Sequence, residues 1–200
     1  MIISMEGYSV INIEQFKSFQ ETLGYFAQQL EFPKKMTLHP NTFESIIHNQ
    51  HPAYKDLMTY RQQVHEYTFL EFQQLYSNTF DFNKNAPLYM TYNKFDTQKE
   101  RGQLLAKLKV LYEMFGLKMA DNELSDFLPL MLEFLYVAQW QNDPRAKGNI
   151  EFVIMIIEDG TYAMANHLAE RNSPYYYLIK ALRETLKVCI EPTNEVKANV

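Results

Sequence analysis

Apolar residues recur along this chain at intervals of three and four, the spacing that lines one face of a helix. Asn12 precedes the first run and predicts a capped helix with Phe16, Phe19, Leu23, Phe26, Ala27 and Leu30 on its inner face, ended by Phe32-Pro33. Residues 33–41 read as a loop and residues 42–49 as a short helix. Pro52 opens a long pattern of Leu57, Tyr60, Val64, Tyr67, Phe72, Leu75 and Tyr76 that fades near residues 79–81. The polar loop 82–86 leads into residues 87–92, a helical turn or a short extended piece. Leu104, Leu105, Leu108, Leu111, Tyr112 and Phe115 predict a helix over 97–115, with Gly116 as its C-cap.

Residues 123–138 are apolar on nearly every face after Glu123 and Asp126, with Glu133 the one charge inside the run. A helix apolar all round is buried on all sides, so this segment reads as the central strut. Pro129 places its start between Ser125 and Leu128, with Ser125 or Asp126 as the cap, and its end lies near Trp140. Residues 149–169 contain Val153-Ile154-Met155-Ile156-Ile157, which alone resembles a buried strand. No second strand of similar quality exists to pair with it, so the segment reads as a buried helix. Ser173 and Pro174 open a last helix with Tyr177, Leu178, Ala181, Leu182, Leu186 and Cys189 inward. The sum is an all-α fold, one compact helical bundle over residues 12–190, with flexible ends at 1–11 and 191–200.

Composition sharpens this picture in a few places. The chain has 14 Tyr, 14 Phe and 10 Met against 6 Gly among 200 residues, a balance that favours helices over tight-turned sheets. The net charge is −5, and no basic stripe marks a nucleic-acid or anionic-membrane surface. The longest apolar stretch, 127–138, is too short to span a bilayer, and no signal peptide is visible. Cys189 is the one cysteine, which excludes an intrachain disulfide and fits a reducing, cytoplasmic setting.

The sequence holds no Gly-rich phosphate loop, nucleophile elbow or paired-cysteine metal site. His48 and His51 read as exposed loop residues, since no further ligand completes a metal site. Glu123, Asp126 and Glu133 admit three readings. They are structural, with a cap at the helix start and Glu133 meeting a buried arginine; they bind a ligand; or they form an acid–base pair, which needs a pocket the sequence does not supply. Arg101, at the start of the Leu-striped helix and close along the chain to the Glu123 linker, is a candidate partner for these carboxylates or is simply solvated. No catalytic residue, metal or cofactor is expected.

One set of residues carries a resemblance over roughly residues 12–190. It runs Tyr76-x-x-Thr79-Phe80-Asp81, then Leu88-Tyr89, then Arg101-Gly102 ahead of the Leu104/Leu105/Leu108/Tyr112/Gly116 helix. It closes with Glu123-Leu124-x-Asp126-x-Leu128-Pro129-x-x-Leu132-Glu133-Phe134. This order resembles the NarJ-type assembly chaperones of respiratory nitrate reductase, the nitrate reductase delta subunit family, within the wider redox-enzyme maturation chaperones. The resemblance implies an all-helical chaperone, not an enzyme. It would bind the N-terminal segment of the immature catalytic subunit and keep it competent for molybdenum cofactor insertion. Proteins of molybdenum cofactor biosynthesis are implied as further partners. Ser125 replaces a usual proline, and Phe127 stands where many relatives have histidine, so Phe127 can offer only packing. An amphipathic client helix needs an apolar groove with a few orienting charges. Tyr67, Phe72, Tyr76, Leu88 and Tyr89 are candidates for its wall, and Glu123 and Asp126 for binding basic client residues; Phe127 and Arg101 complete the candidate set. A helical adaptor bridging folded partners is the alternative.

Overall fold

Asn12 caps the first helix as its sequence suggests, its side-chain oxygen accepting the Gln15 N–H at 2.9 Å. The computed structural model describes residues 10–35, 40–119, 122–140 and 142–191; of the flexible ends expected at 1–11 and 191–200, residues 1–9 and 192–200 lie outside the described residues. The helices are α1 (Ile13–Ser18), α2 (Gln20–Leu30), α3 (Pro40–Ile46), α4 (Tyr54–Val64), α5 (Phe69–Tyr76), α6 (Gln98–Met114), α7 (Leu128–Val137), α8 (Ala146–Glu170) and α9 (Pro174–Val188). A two-residue ribbon pairs β1 (Val10–Ile11) antiparallel with β2 (Ile190–Glu191). The Ile11 N–H also donates to the Glu151 carboxylate at 3.0 Å, so residues 10, 11 and 191, placed in the flexible ends by the sequence, pair within the folded body. Apart from this ribbon the fold is the all-α bundle that the periodicity predicts.

α2 packs along α7, α4 along α9 and α8 along α9. α7 buries Leu128, Pro129, Met131, Leu132, Phe134 and Leu135. Glu133, Tyr136 and Val137 are exposed, so the strut presents one strip to solvent, and Glu133 does not meet a buried arginine. The helix stops at Val137, before Trp140. The Trp140 ring is nevertheless buried, with its centroid 4.5 Å from that of Phe115 and 5.0 Å from that of Phe134.

Two expected helices are each broken in two. Phe19 leaves helical geometry (φ −108°, ψ 4°) between α1 and α2. The pattern from Pro52 breaks at Thr68. The Glu71 carboxylate accepts the Thr68 N–H at 2.8 Å, and the Thr68 hydroxyl accepts the Glu71 N–H at 3.4 Å. This reciprocal cap begins a new helix, and Thr68-x-x-Glu71 is its sequence signature. α5 then widens into a π-helical turn, Ser77–Asp81. Between α3 and α4, His48 is exposed as expected but His51 is half-buried. Its Nδ1 accepts the Ala53 N–H at 3.1 Å, and burial, with His48 nearby, pushes its pKa down to about 4.

Residues 149–169 are helical within α8, as predicted. Gly160 lets the 87–92 connection lie directly on that helix, because an added Cβ would stand 2.8 Å from the Met90 carbonyl oxygen and 2.7 Å from its sulfur. Gly160→Ala is therefore expected to cost about 1–3 kcal/mol through overpacking, although alanine is the better helix former. Thermal denaturation reads this, and a stabilised variant would show that the connection yields freely.

On α9 the inward aromatic at the N-terminal end is Tyr175, fully buried, and not Tyr177, which is half-buried. Tyr175 stands three and seven residues before Leu178 and Leu182, on their face, whereas Tyr177 stands one and five before them, so helical spacing itself favours Tyr175 over the expected Tyr177. Cys189 is buried, its Sγ donating to the Thr185 carbonyl at 3.3 Å, and burial pushes the thiol up to about 12. It is a core residue, as its position suggests.

Candidate functional site

The 87–92 connection crosses the start of α7 through a single extended position, Tyr89, and turns from there, the Tyr92 N–H donating to the Tyr89 carbonyl at 3.0 Å. Met90 N–H donates to the Asp126 carbonyl at 2.9 Å and Leu128 N–H to the Leu88 carbonyl at 2.8 Å, pairing Tyr89 with Phe127 in an antiparallel bridge. Side chains of paired extended segments alternate between faces, and directly opposed residues share one. Tyr89 and Phe127 accordingly stand together, ring centroids 5.4 Å apart, facing a cleft. Asp126, one residue earlier, turns the other way into the protein.

The cleft has a volume of about 670 Å³ and lies between the end of α2, the π turn and this bridge. Tyr76, Leu88, Tyr89, Glu123 and Phe127 line it, joined by Phe32 and Phe80. The buried Tyr76 hydroxyl donates to the Leu30 carbonyl at 3.0 Å and fixes α5 against α2. The Glu123 carboxylate accepts the Tyr89 hydroxyl at 3.1 Å and the Leu124 N–H at 2.9 Å through one oxygen. Partial burial, with the Glu123 charge alongside, raises the Tyr89 pKa and keeps that hydroxyl a donor. Glu31, Asp81 and Glu123 face the cleft against Lys34 and Lys84, so its polar rim leans negative. Asn83 adds an uncharged corner, held to His167 at 3.0 Å.

Behind the wall sits a buried ion pair. Asp126 is fully buried. One carboxylate oxygen accepts the Thr91 N–H at 3.1 Å, the Thr91 hydroxyl, and an Arg101 N–H at 3.2 Å. Arg101 Nε also donates to the Thr91 hydroxyl oxygen at 3.2 Å. The carboxylate therefore locks three segments together and has no face toward the cleft. Neither Asp126 nor Ser125 caps α7. The N-cap position is Phe127, without a side-chain cap bond, and the Ser125 hydroxyl donates to the Leu105 carbonyl at 2.7 Å.

The structure thus divides the nine candidate residues. Tyr76, Leu88, Tyr89, Glu123 and Phe127 converge on one cleft. Asp126 and Arg101 form the support behind it, and of the three carboxylates it is Asp126 that pairs with the arginine, at 3.2 Å. Phe72 turns into the core, stacked on Tyr175 with centroids 6.0 Å apart, and Tyr67 packs in the link between α4 and α5, away from the cleft. For Tyr67 the broken helix explains this, because the cap at Thr68 puts it on a different segment from Tyr76, while Phe72 lies on α5 with Tyr76 but one turn farther from the π turn. Phe32, Phe80, Glu31 and Asp81 escaped the sequence reading: Phe32 serves there only as a helix terminator. The Tyr76-x-x-Thr79-Phe80-Asp81 motif was the available signal for the last two wall residues on the π turn.

The family model described as nitrate reductase delta subunit matches residues 46–179 of this chain. The chain is similar to a Bacillus subtilis protein named probable nitrate reductase molybdenum cofactor assembly chaperone NarJ, 35% identical over 112 residues, or 56% of this chain and 57% of that protein. It is similar to an Escherichia coli protein named probable nitrate reductase molybdenum cofactor assembly chaperone NarW, 31% identical over 113 residues, covering 56% and 46% of the two chains. The Escherichia coli protein named nitrate reductase molybdenum cofactor assembly chaperone NarJ is 28% identical over 122 residues, covering 61% and 49%. The chain spans about half the length of the curated relatives it matches.

Proposed function

This chain belongs to the nitrate reductase delta subunit family, and on that premise we propose that it is an assembly chaperone for the catalytic subunit of nitrate reductase. It holds the N-terminal segment of the immature subunit in its cleft while the molybdenum cofactor, which belongs to the client, is inserted. The observation that carries this reading is the cleft itself. Paired aromatics, Tyr89 and Phe127, offer an apolar floor, and Glu123 is fixed by two donors at its edge. An amphipathic segment docks its apolar face on such a floor and is oriented by a charge at the rim. Proteins that supply the molybdenum cofactor are natural further partners.

An enzyme would need its carboxylates together. Glu123 lines the cleft, Asp126 is sealed behind it and Glu133 stands exposed on α7. No helix among the described residues is long and apolar enough to cross a membrane.

Calorimetric titration with a peptide copying the N-terminal segment of the cognate catalytic subunit tests the proposal. One-to-one binding with a negative heat-capacity change is expected. Glu123→Gln keeps the shape and removes the charge, and is expected to weaken binding about three- to tenfold at low salt, less at high salt. A folded protein that ignores the peptide would overturn the segment assignment. Equal binding of immature and mature, cofactor-loaded subunit would favour the adaptor reading instead.

A further inference from the structure

The cleft does not end at its rim. Phe32, 43% exposed, lines the cleft on one side and a second, shallower hollow on the other. That hollow is built by Phe32, Gln73, Gln74, Ser77, Asn78 and Phe82. None of the six carries a charge, in contrast to the cleft. Phe82 is 82% exposed, an unusual state for so large an apolar side chain at the edge of a pocket.

The π turn creates this surface. The Phe82 N–H donates to the Ser77 carbonyl, five residues back, at 3.0 Å. That bond sets Phe82 one turn beyond Ser77. Residues three and four apart share a helix face, which continues the line from Ser77 through Gln73 and Gln74 to Leu70, 64% exposed. The result is a face with apolar ends, Leu70 and Phe82, and a neutral polar middle. At 1.5 Å per residue it is about 18 Å long, or about three helical turns. π turns are rare and frequently lie at functional sites.

We propose that this face is the second half of the client-binding surface. It is a docking track for an uncharged, apolar-faced helical stretch of the same immature catalytic subunit, continuous with the cleft across the Phe32 ridge. The assignment rests on the chaperone reading above. Two features select this occupant over an unrelated partner. The shared Phe32 wall makes the hollow continuous with the cleft. The lack of charge in the hollow asks for the apolar face of an amphipathic segment whose charged end is already met at Glu123. Client recognition then has two parts, a charged anchor in the cleft and an apolar run over the α5 face.

The test uses the full chain and the client's N-terminal peptide, whole and shortened by about two turns from either end. Phe82→Ser removes an exposed ring, so the fold should survive, and circular dichroism checks this. Replacing an apolar anchor that becomes buried on binding is expected to weaken the whole peptide about tenfold or more. One of the shortened peptides, confined to the cleft, should bind wild type and Phe82→Ser equally, while Glu123→Gln still weakens it. Val110→Ser, at an apolar site on α6 that is 63% exposed, should leave every affinity unchanged. Unchanged binding of the whole peptide by Phe82→Ser would overturn the track and leave the cleft standing. Loss of self-association in Phe82→Ser, seen by sedimentation with peptide affinity intact, would also overturn it and give the face to a second copy of this chain. Failure of the wild type to bind any of the peptides would instead overturn the segment assignment and the track with it.

Discussion

Asp126→Ala is expected to lower the unfolding free energy by about 3–5 kcal/mol, the cost of breaking a buried pair by removing one partner. At about 2–4 °C per kcal/mol for a chain of this size, the midpoint of thermal unfolding drops by about 6–20 °C. The reason is what the carboxylate leaves behind. Arg101 has a side chain only 16% exposed and keeps its charge, while the Thr91 N–H and hydroxyl lose their acceptor. Replacing both charged residues, Asp126→Leu with Arg101→Met, should cost less than the sum of the single changes, because no unpaired charge remains. Urea denaturation of the four proteins closes that cycle. Binding separates this role from client contact: Asp126→Asn retains an acceptor for Thr91, and a folded variant should bind the client peptide as wild type does. A destabilisation by Asp126→Ala of under about 1 kcal/mol would mean that water reaches the site and the lock is not a lock.

Tyr175→Ala is the second large effect, about 3–5 kcal/mol for emptying a fully buried aromatic site. Tyr175 sits where α9 meets α4 and α5. Its ring lies 4.7 Å from Phe80, 5.9 Å from Tyr60, 6.0 Å from Phe72 and 6.2 Å from Tyr76, centroid to centroid. Two of these neighbours, Tyr76 and Phe80, are also walls of the cleft, so the truncation should loosen the cleft as well as the core. The hydroxyl behaves differently from the ring. It has no hydrogen-bond partner among the described residues, and burial raises its pKa well above the ordinary phenol value. Tyr175→Phe removes only that unsatisfied group and is expected to leave stability unchanged or raise it by up to about 1 kcal/mol. Denaturant midpoints for the two variants decide the matter. A Tyr175→Phe protein weakened by more than about 2 kcal/mol would show that the hydroxyl is bonded.

The two residues differ in how far a linear pattern reaches them. Tyr175 lies at helical spacing from Leu178 and Leu182, so its place on the inner face of α9 is legible along the chain, although the ring cluster around it is not. Asp126 and Phe127 are neighbours in one motif. The bridge to Leu88 and Met90 sends Phe127 to the cleft and Asp126 to the interior, and that bridge joins segments 38 residues apart.

The sequence by itself determined the all-α class, most helix positions, the helical state of residues 149–169 though not the exposure of Met155 and Tyr162 on it, and the motif around Glu123 that marks the family. These follow from periodicity, caps and local order, which act over a few residues and are written along the chain. The tertiary structure alone decided which motif residues share a surface. It put Tyr76, Tyr89, Glu123 and Phe127 on one cleft with Phe32, withdrew Phe72 and Tyr67 from it, and paired Arg101 with Asp126. Those outcomes depend on how α2, the π turn and the 87–92 connection meet. Contacts between distant segments are set by packing and by the need to satisfy buried polar groups, and neither leaves a periodic trace in the sequence.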